Sequence, residues 1–302
     1  LSPTDGSFTS YRETFGITAT FVLTSLVWNG RALAAAWLRA ERGEAHGLTY
    51  VPADGTSSSF GLGAASYVIL SRSGSGFGAL VEVPGAPLRE LRFRSVTDDG
   101  TLGGPTVLLP SQPARGVAMT WTGAEYGAVV RDAGDPGIDL VRIDASGSVI
   151  GTPVRIDDGG MPGGTAAIAW TGAEYGIAWE DRRDGAGEIY FTRFGPGGTE
   201  LGDDVRLTTE PAASRSPSIG WSGMDFVTVW DDSRGGATRV YFTVVSAGGA
   251  ESGDDQPLRL DPTTLGAFAT ALRGDNVGVA WIAPAATAGL AQIYFAEFVR
   301  CR

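Results

Sequence analysis

Lysine is missing from these 302 residues, cysteine and histidine occur once each, and methionine only three times. No run of eighteen apolar residues is present, which excludes a membrane-spanning helix. The single cysteine, Cys301, excludes an intramolecular disulfide and a thiolate metal cluster. It reads as a frayed terminal thiol, with an intermolecular disulfide as the alternative. The single histidine, His46, excludes histidine dyads and multi-histidine metal sites. One Ser-His-Asp triad stays formally open, but no G-x-S-x-G elbow accompanies it. Without lysine, glycine-rich turns such as Gly159-Gly160-Met161-Pro162-Gly163-Gly164 cannot be P-loops. Positive charge is scarce as well: 23 basic residues face 34 acidic ones, giving a net charge of −11 and a pI near 4.6. Such a surface repels phosphate backbones and anionic headgroups, so no nucleic-acid partner is expected.

What is abundant is glycine, 45 residues of it, in a chain that turns often and alternates with period two between the turns. The segment Trp170-Thr171-Gly172-Ala173-Glu174-Tyr175 returns as Trp121-Thr122-Gly123-Ala124-Glu125-Tyr126 and as Trp221-Ser222-Gly223-Met224-Asp225-Phe226. Weaker copies begin at Trp28, Arg72 and Leu272. The six anchors at 28, 72, 121, 170, 221 and 272 lie 44, 49, 49, 51 and 51 residues apart. Each copy reads as four short strands: a small-residue strand A ending at the anchor, a strand B such as Phe226-Val227-Thr228-Val229-Trp230, an aromatic strand C such as Ile189-Tyr190-Phe191, and a strand D such as Val205-Arg206-Leu207. Four antiparallel strands per fifty residues is the arithmetic of a propeller blade. The expectation is an all-β, six-bladed β-propeller forming one domain over residues 1–302. Residues 1–16 are expected to complete blade six, because the last copy stops after its strand C while Tyr11-Arg12-Glu13 carries the strand-D offset.

All eight tryptophans fall at two repeat positions: Trp28, Trp121, Trp170 and Trp221 end strand A, and Trp37, Trp179, Trp230 and Trp281 sit in strand B. This distribution suits packing between blades, with a sugar-stacking platform as the alternative. The loops joining strands B and C are charged, as in Glu180-Asp181-Arg182-Arg183-Asp184-Gly185 and Asp231-Asp232-Ser233-Arg234-Gly235. Asp132, Asp181 and Asp232 are equivalent, and Arg183 matches Arg234. Structurally, such an aspartate caps its turn and pairs with arginine. Functionally, the candidate ligand-binding set on this face is Arg42, His46, Arg131, Asp132, Asp181, Arg182, Arg183, Asp232 and Arg234. No metal site or catalytic residue is assigned and no cofactor is expected. Calcium stays an alternative, although the D-x-D-x-D-G spacing is absent. Paired carboxylates for glycoside hydrolysis are the other alternative, with the loop arginines available to a substrate carboxylate.

The W-[ST]-G-x-[EDS]-[YF] turn, followed by W-x-D-x-R and [IV]-Y-F, resembles repeats of propellers in secreted or surface proteins of bacteria. It is distantly similar to the Asp-box repeats of sialidase-like propellers. Thr97-Asp98-Asp99-Gly100-Thr101 and Asp144-Ala145-Ser146-Gly147 fall at the corresponding turn, without the tryptophan that should follow. The resemblance implies an extracellular binding context without choosing a ligand. The start at Leu1 agrees with a removed leader, hence a secreted or cell-surface location. The resulting expectation is a monomeric, lectin-like binding module for a glycan or surface protein, leaning against an enzyme. A glycoside hydrolase on the same face is the runner-up, and a scaffold without a small ligand comes third.

Overall fold

The computed structural model describes residues 21–28, 32–39, 47–52, 58–62, 65–74, 76–83, 90–97, 101–104, 106–107, 114–132, 137–160, 162–234, 236, 238–258, 268–273, 276–284 and 291–299. Every regular element among them is a β-strand. The first sheet holds β1 (Phe21–Trp28), β2 (Ala32–Arg39), β3 (Gly47–Pro52) and β4 (Ser58–Gly61). The second holds β5 (Tyr67–Ser73), β6 (Gly76–Val83), β7 (Glu90–Thr97) and β8 (Thr106–Val107), and the third β9 (Ala114–Trp121), β10 (Glu125–Asp132), β11 (Ile138–Asp144) and β12 (Val149–Arg155). The fourth comprises β13 (Pro162–Trp170), β14 (Tyr175–Asp181), β15 (Glu188–Phe194) and β16 (Val205–Arg206), and the fifth β17 (Ser214–Trp221), β18 (Asp225–Asp232), β19 (Arg239–Ser246) and β20 (Gln256–Pro257). The last sheet has three strands, β21 (Phe268–Arg273), β22 (Asn276–Pro284) and β23 (Ala291–Val299). Each sheet is an antiparallel meander, and the first strands β1, β5, β9, β13, β17 and β21 pack side by side in succession. This is β-propeller architecture, with strands A to D as the repeat predicts.

The expectation of a six-bladed propeller with four strands in every blade is corrected, while the all-β class stands. Four blades of four strands each, spanning residues 67–257, pack on one another. They are flanked by the β1–β4 sheet, which packs on the first of them through Ala34 and Ala36, and by the three-stranded sheet. Among the described residues, β21 does not pack on β1 as consecutive first strands pack elsewhere. The strand expected from residues 1–16 lies outside the described residues. For orientation, sheets keep their chain-order numbers below, so blade four is β13–β16.

The repeat motif works through two local devices. In the turn between strands A and B, the Thr122 hydroxyl accepts the Ala124 and Glu125 N–H groups at 3.3 and 3.0 Å, and Gly123 sits at φ 106°. Thr171 with Gly172 and Ser222 with Gly223 repeat this arrangement. The hydroxyl replaces a backbone acceptor, and only glycine enters that φ region without strain. The second device is a notch in strand B. Gly127 and Gly176 let the ring that opens the next blade's strand B, Tyr175 or Phe226, lie on their backbone. A Cβ on Gly127 would stand 2.4 Å from Tyr175 Cε1, and one on Gly176 2.2 Å from Phe226 Cε1.

Trp179 and Trp230 are completely covered and fill the seams between blades three and four and between blades four and five. The strand-A tryptophans Trp121, Trp170 and Trp221 are half-buried against Tyr126, Tyr175 and Phe226 at centroid distances of 4.5, 4.6 and 4.9 Å. They pack, as the sequence distribution suggests. The side chains of Trp28, Trp37 and Trp281 lie outside the described residues. A first prediction follows from the notch: Gly127→Ala should cost about 1–3 kcal/mol through overpacking, read as a lower urea midpoint with an unchanged m-value.

Candidate functional site

The two best copies of W-x-D-x-R build the same clamp. At the end of β14, the Asp181 carboxylate accepts the Trp179 indole N–H at 3.1 Å, the Arg183 backbone N–H at 2.8 Å and Arg183 Nη2 at 2.9 Å. At the end of β18, Asp232 accepts the corresponding groups of Trp230 and Arg234 at 3.3, 2.8 and 2.7 Å, and the Ser214 hydroxyl at 2.9 Å. Each arginine lies over the strand-C tyrosine, Arg183 at 4.4 Å from the Tyr190 centroid and Arg234 at 4.1 Å from that of Tyr241. Each also reaches a second carboxylate on the way into strand D, Asp204 at 3.2 Å and Asp255 at 2.5 Å. Burial alone would raise the Asp232 carboxyl, but the Arg234 side-chain and backbone donors and Ser214 bring it below its ordinary value. Both aspartates are 0% exposed. Asp181, Arg183, Asp232 and Arg234 are therefore brought together in pairs and engaged with one another inside the fold, with Arg183 Nε and Arg234 Nε buried and not hydrogen-bonded.

Of the other predicted residues, Arg131 is half-buried near the end of β10, beside Asp132, whose side chain lies outside the described residues. Arg42 and His46 also lie outside them. Arg182 differs from all of these, because its side chain is 53% exposed while its guanidinium holds the buried Glu180 carboxylate at 3.0 Å. Glu180 packs over Gly163, where a Cβ would come within 2.4 Å of its Cδ, and accepts the Thr165 hydroxyl at 3.3 Å.

Across the seam in blade five, the repeat puts Asp231 where blade four has Glu180. It also puts Ser214-Arg215-Ser216 where blade four has Gly163-Gly164-Thr165. Burial raises the Asp231 carboxyl, a hydrogen bond from Ser216 and the charge of Arg215 oppose this, and the Glu180 charge adds to it. Ser216 holds φ 53°, where no other described non-glycine residue has positive φ, and a register shift in the β17–β18 pairing lies between Arg215 and Ser218. Arg215 is exposed. The loop end of blades four and five thus presents Glu180, Arg182, Arg215, Ser216 and Asp231 as one polar group that departs from the repeat.

The repeat offers no consensus for Asp231, Arg215 and Ser216, and this explains why sequence reading passed over them. The Asp204 and Asp255 clamp partners were more legible, since Asp-Asp precedes strand D 51 residues apart in both blades. A pocket of about 230 Å³ opens elsewhere, at the outer rim, lined by Phe191, Arg193, Leu201 and Asp203 of blade four and Gly248 and Gly249 of the next C–D turn.

The turn expected to resemble an Asp box is an aspartate-capped turn between β11 and β12. Asp144 accepts the Ser146 hydroxyl at 2.6 Å and the Ser146 and Ser148 N–H groups at 2.8 and 2.9 Å, with Gly147 at φ 98°. The likeness is confined to this capping, and Asp98, Asp99 and Gly100 of the other candidate turn lie outside the described residues.

Comparison with known proteins places the fold and nothing finer. No protein-family profile matches the chain, and no curated protein matches it in sequence. Among solved structures, the Kuenenia stuttgartiensis hydrazine synthase is similar at TM-score 0.60 and 10% identity, over 90% of this chain and 80% of that one. The Dos1 propeller is similar at TM-score 0.55 and 8% identity, over 90% and 67%. A structure from work on two prolyl endopeptidases matches at TM-score 0.56 and 12% identity, over 91% of this chain. The present chain covers 39% of that endopeptidase and 38% of the similar prolyl oligopeptidase B from Galerina marginata. These likenesses support a β-propeller. No helix among the described residues is long and apolar enough to cross a membrane.

Proposed function

We propose that this chain is an extracellular, monomeric binding propeller that takes a glycan on the loop end of blades four and five. The observation that carries this reading is the division of labour among its charged residues. The repeated aspartates and arginines are paired within the clamps, whereas Arg182, Arg215, Ser216 and Asp231 depart from the repeat and leave two exposed arginines beside carboxylate and hydroxyl acceptors. A sugar presents hydroxyls that give and take hydrogen bonds, and such a mixed set meets both needs. Non-glycine backbone held in a sparsely populated region is often kept where a site needs it. The hydrolase reading gains no support from Asp181 and Asp232, because both are covered and each already accepts at least three donors.

The test is a glycan array on the intact chain, followed by titration of the best sugar against Arg182→Ala combined with Arg215→Ala. At least a tenfold loss of affinity is expected, corresponding to about 1.4 kcal/mol, with a lower thermal midpoint because Arg182→Ala leaves the buried Glu180 carboxylate without its guanidinium. Arg215→Ala alone, at an exposed side chain, should weaken binding with the midpoint within about 2 °C of the parent. A silent array together with capture of a defined surface protein would replace the glycan by a protein partner. Release of fluorophore from glycosides, lost in Glu180→Gln, would replace binding by catalysis.

A further inference from the structure

Three carboxylates meet at the outer seam between blades three and four. Asp158 lies in the connection from β12 to β13, Glu200 in the turn after β15, and Asp204 immediately before β16; one oxygen from each lies within 4.8 Å of the others. Asp204 is the covered member, with a side chain 7% exposed. Its Oδ2 accepts Arg183 Nη2 at 3.2 Å and the Asp158 N–H at 3.4 Å, but its Oδ1 is buried with no hydrogen-bond partner. A buried carboxylate oxygen without a donor is costly, so it needs a counterpart that protein groups do not supply here.

Blade five serves as an internal control. Thr243 donates to Glu251 there at 2.7 Å, as Thr192 donates to Glu200 at 3.2 Å, and Asp255 takes Arg234 as Asp204 takes Arg183. The counterpart of Asp158 is Thr209, so blade five lacks the third carboxylate. The unpartnered oxygen also belongs to Asp204 and not to Asp255. The triad is thus no by-product of the repeat.

We propose that Asp158, Glu200 and Asp204 form a calcium site joining blades three and four. The three carboxylates have only Arg183 as a counter-charge and share it with Asp181, so the cluster holds an excess of negative charge that a divalent ion offsets. The donors are all hard oxygens, with no imidazole or thiolate among the three, which selects against zinc and copper. Asp204 Oδ1 with oxygens of Asp158 and Glu200, and water in the remaining positions, suits the six to eight ligands and loose geometry of calcium. The exposed Asp158 leaves the ion an entry path. Burial, with the Asp158 charge adding to it, pushes the Asp204 carboxyl up to about 6, and burial followed by Asp158 and Asp203 raises that of Glu200. A bound cation relieves that repulsion.

The experiment is calorimetric titration of the full chain with calcium chloride at pH 7.5, paired with thermal unfolding in calcium and in chelator. One ion per chain is expected, with Kd of about 0.1–1 mM, and a thermal midpoint raised by calcium through mass action. Asp158→Asn should weaken binding at least tenfold while leaving the midpoint in chelator unchanged, since that side chain is exposed. Glu200→Gln should act in the same direction. Absence of both heat and midpoint shift up to about 10 mM calcium, ten times the weak limit of extracellular calcium modules, would overturn the proposal. So would undiminished affinity in folded Asp158→Asn.

Discussion

Asp232→Ala is expected to lower the unfolding free energy by about 3–5 kcal/mol, a large part of the 5–15 kcal/mol typical of native domains. The substitution removes the acceptor of four donors at once, namely the Trp230 indole, the Arg234 backbone and side chain, and Ser214. Asp255 still holds Arg234 from the other side, which favours the lower end of the range. Urea unfolding at pH 7 measures the effect directly. A pH series then tests the electrostatic part. The Asp232 carboxyl lies below its ordinary value of 3.8 in the fold, so its stabilisation is complete above that value. It is lost as pH falls from about 4 through the lower folded value. The parent should therefore lose stability between pH 4 and pH 2 more steeply than Asp232→Asn. Parallel curves for the two proteins would show that the clamp contributes through shape and not through charge.

The second large effect is expected for Trp179. Its ring is fully covered between blades three and four and lies 5.8 Å from Tyr190, centroid to centroid. Trp179→Ala should cost about 3–5 kcal/mol from lost burial and the cavity left behind. Trp179→Phe keeps one six-membered ring but removes the rest of the indole together with its N–H donor to Asp181, for about 1–3 kcal/mol. Both values are read from chemical unfolding, and the gap between them measures the packing of the ring that phenylalanine retains. If alanine and phenylalanine were equally destabilising, the seam would depend on the indole hydrogen bond and not on its volume.

Much of the blade was legible before any coordinates. Trp-Thr-Gly-Ala-Glu-Tyr specifies its turn through local chemistry, a hydroxyl cap and a glycine with positive φ, so the motif and its geometry stand in near one-to-one relation. The alternating strands and the buried tryptophans were legible for the same reason. Ring closure was not, because it depends on contacts between segments far apart in the chain. The loop face misled in an instructive way. Aspartate and arginine two residues apart look available in a sequence, yet Trp179 and Asp204 approach Asp181 and Arg183 in the folded blade and use them up. Asp158, Glu200 and Asp204 share no motif spacing, since it takes the stacking of two blades to assemble them.

The glycine notches give the blade array a direction. Each blade lends a ring backward in sequence to the backbone of the one before it, Tyr126 to Gly78, Tyr175 to Gly127 and Phe226 to Gly176. Damage should therefore travel unevenly. Loosening one blade uncovers bare peptide on its predecessor, while its successor is left with a protruding aromatic and an intact backbone. Amide protons of the preceding blade should be the first to exchange with solvent.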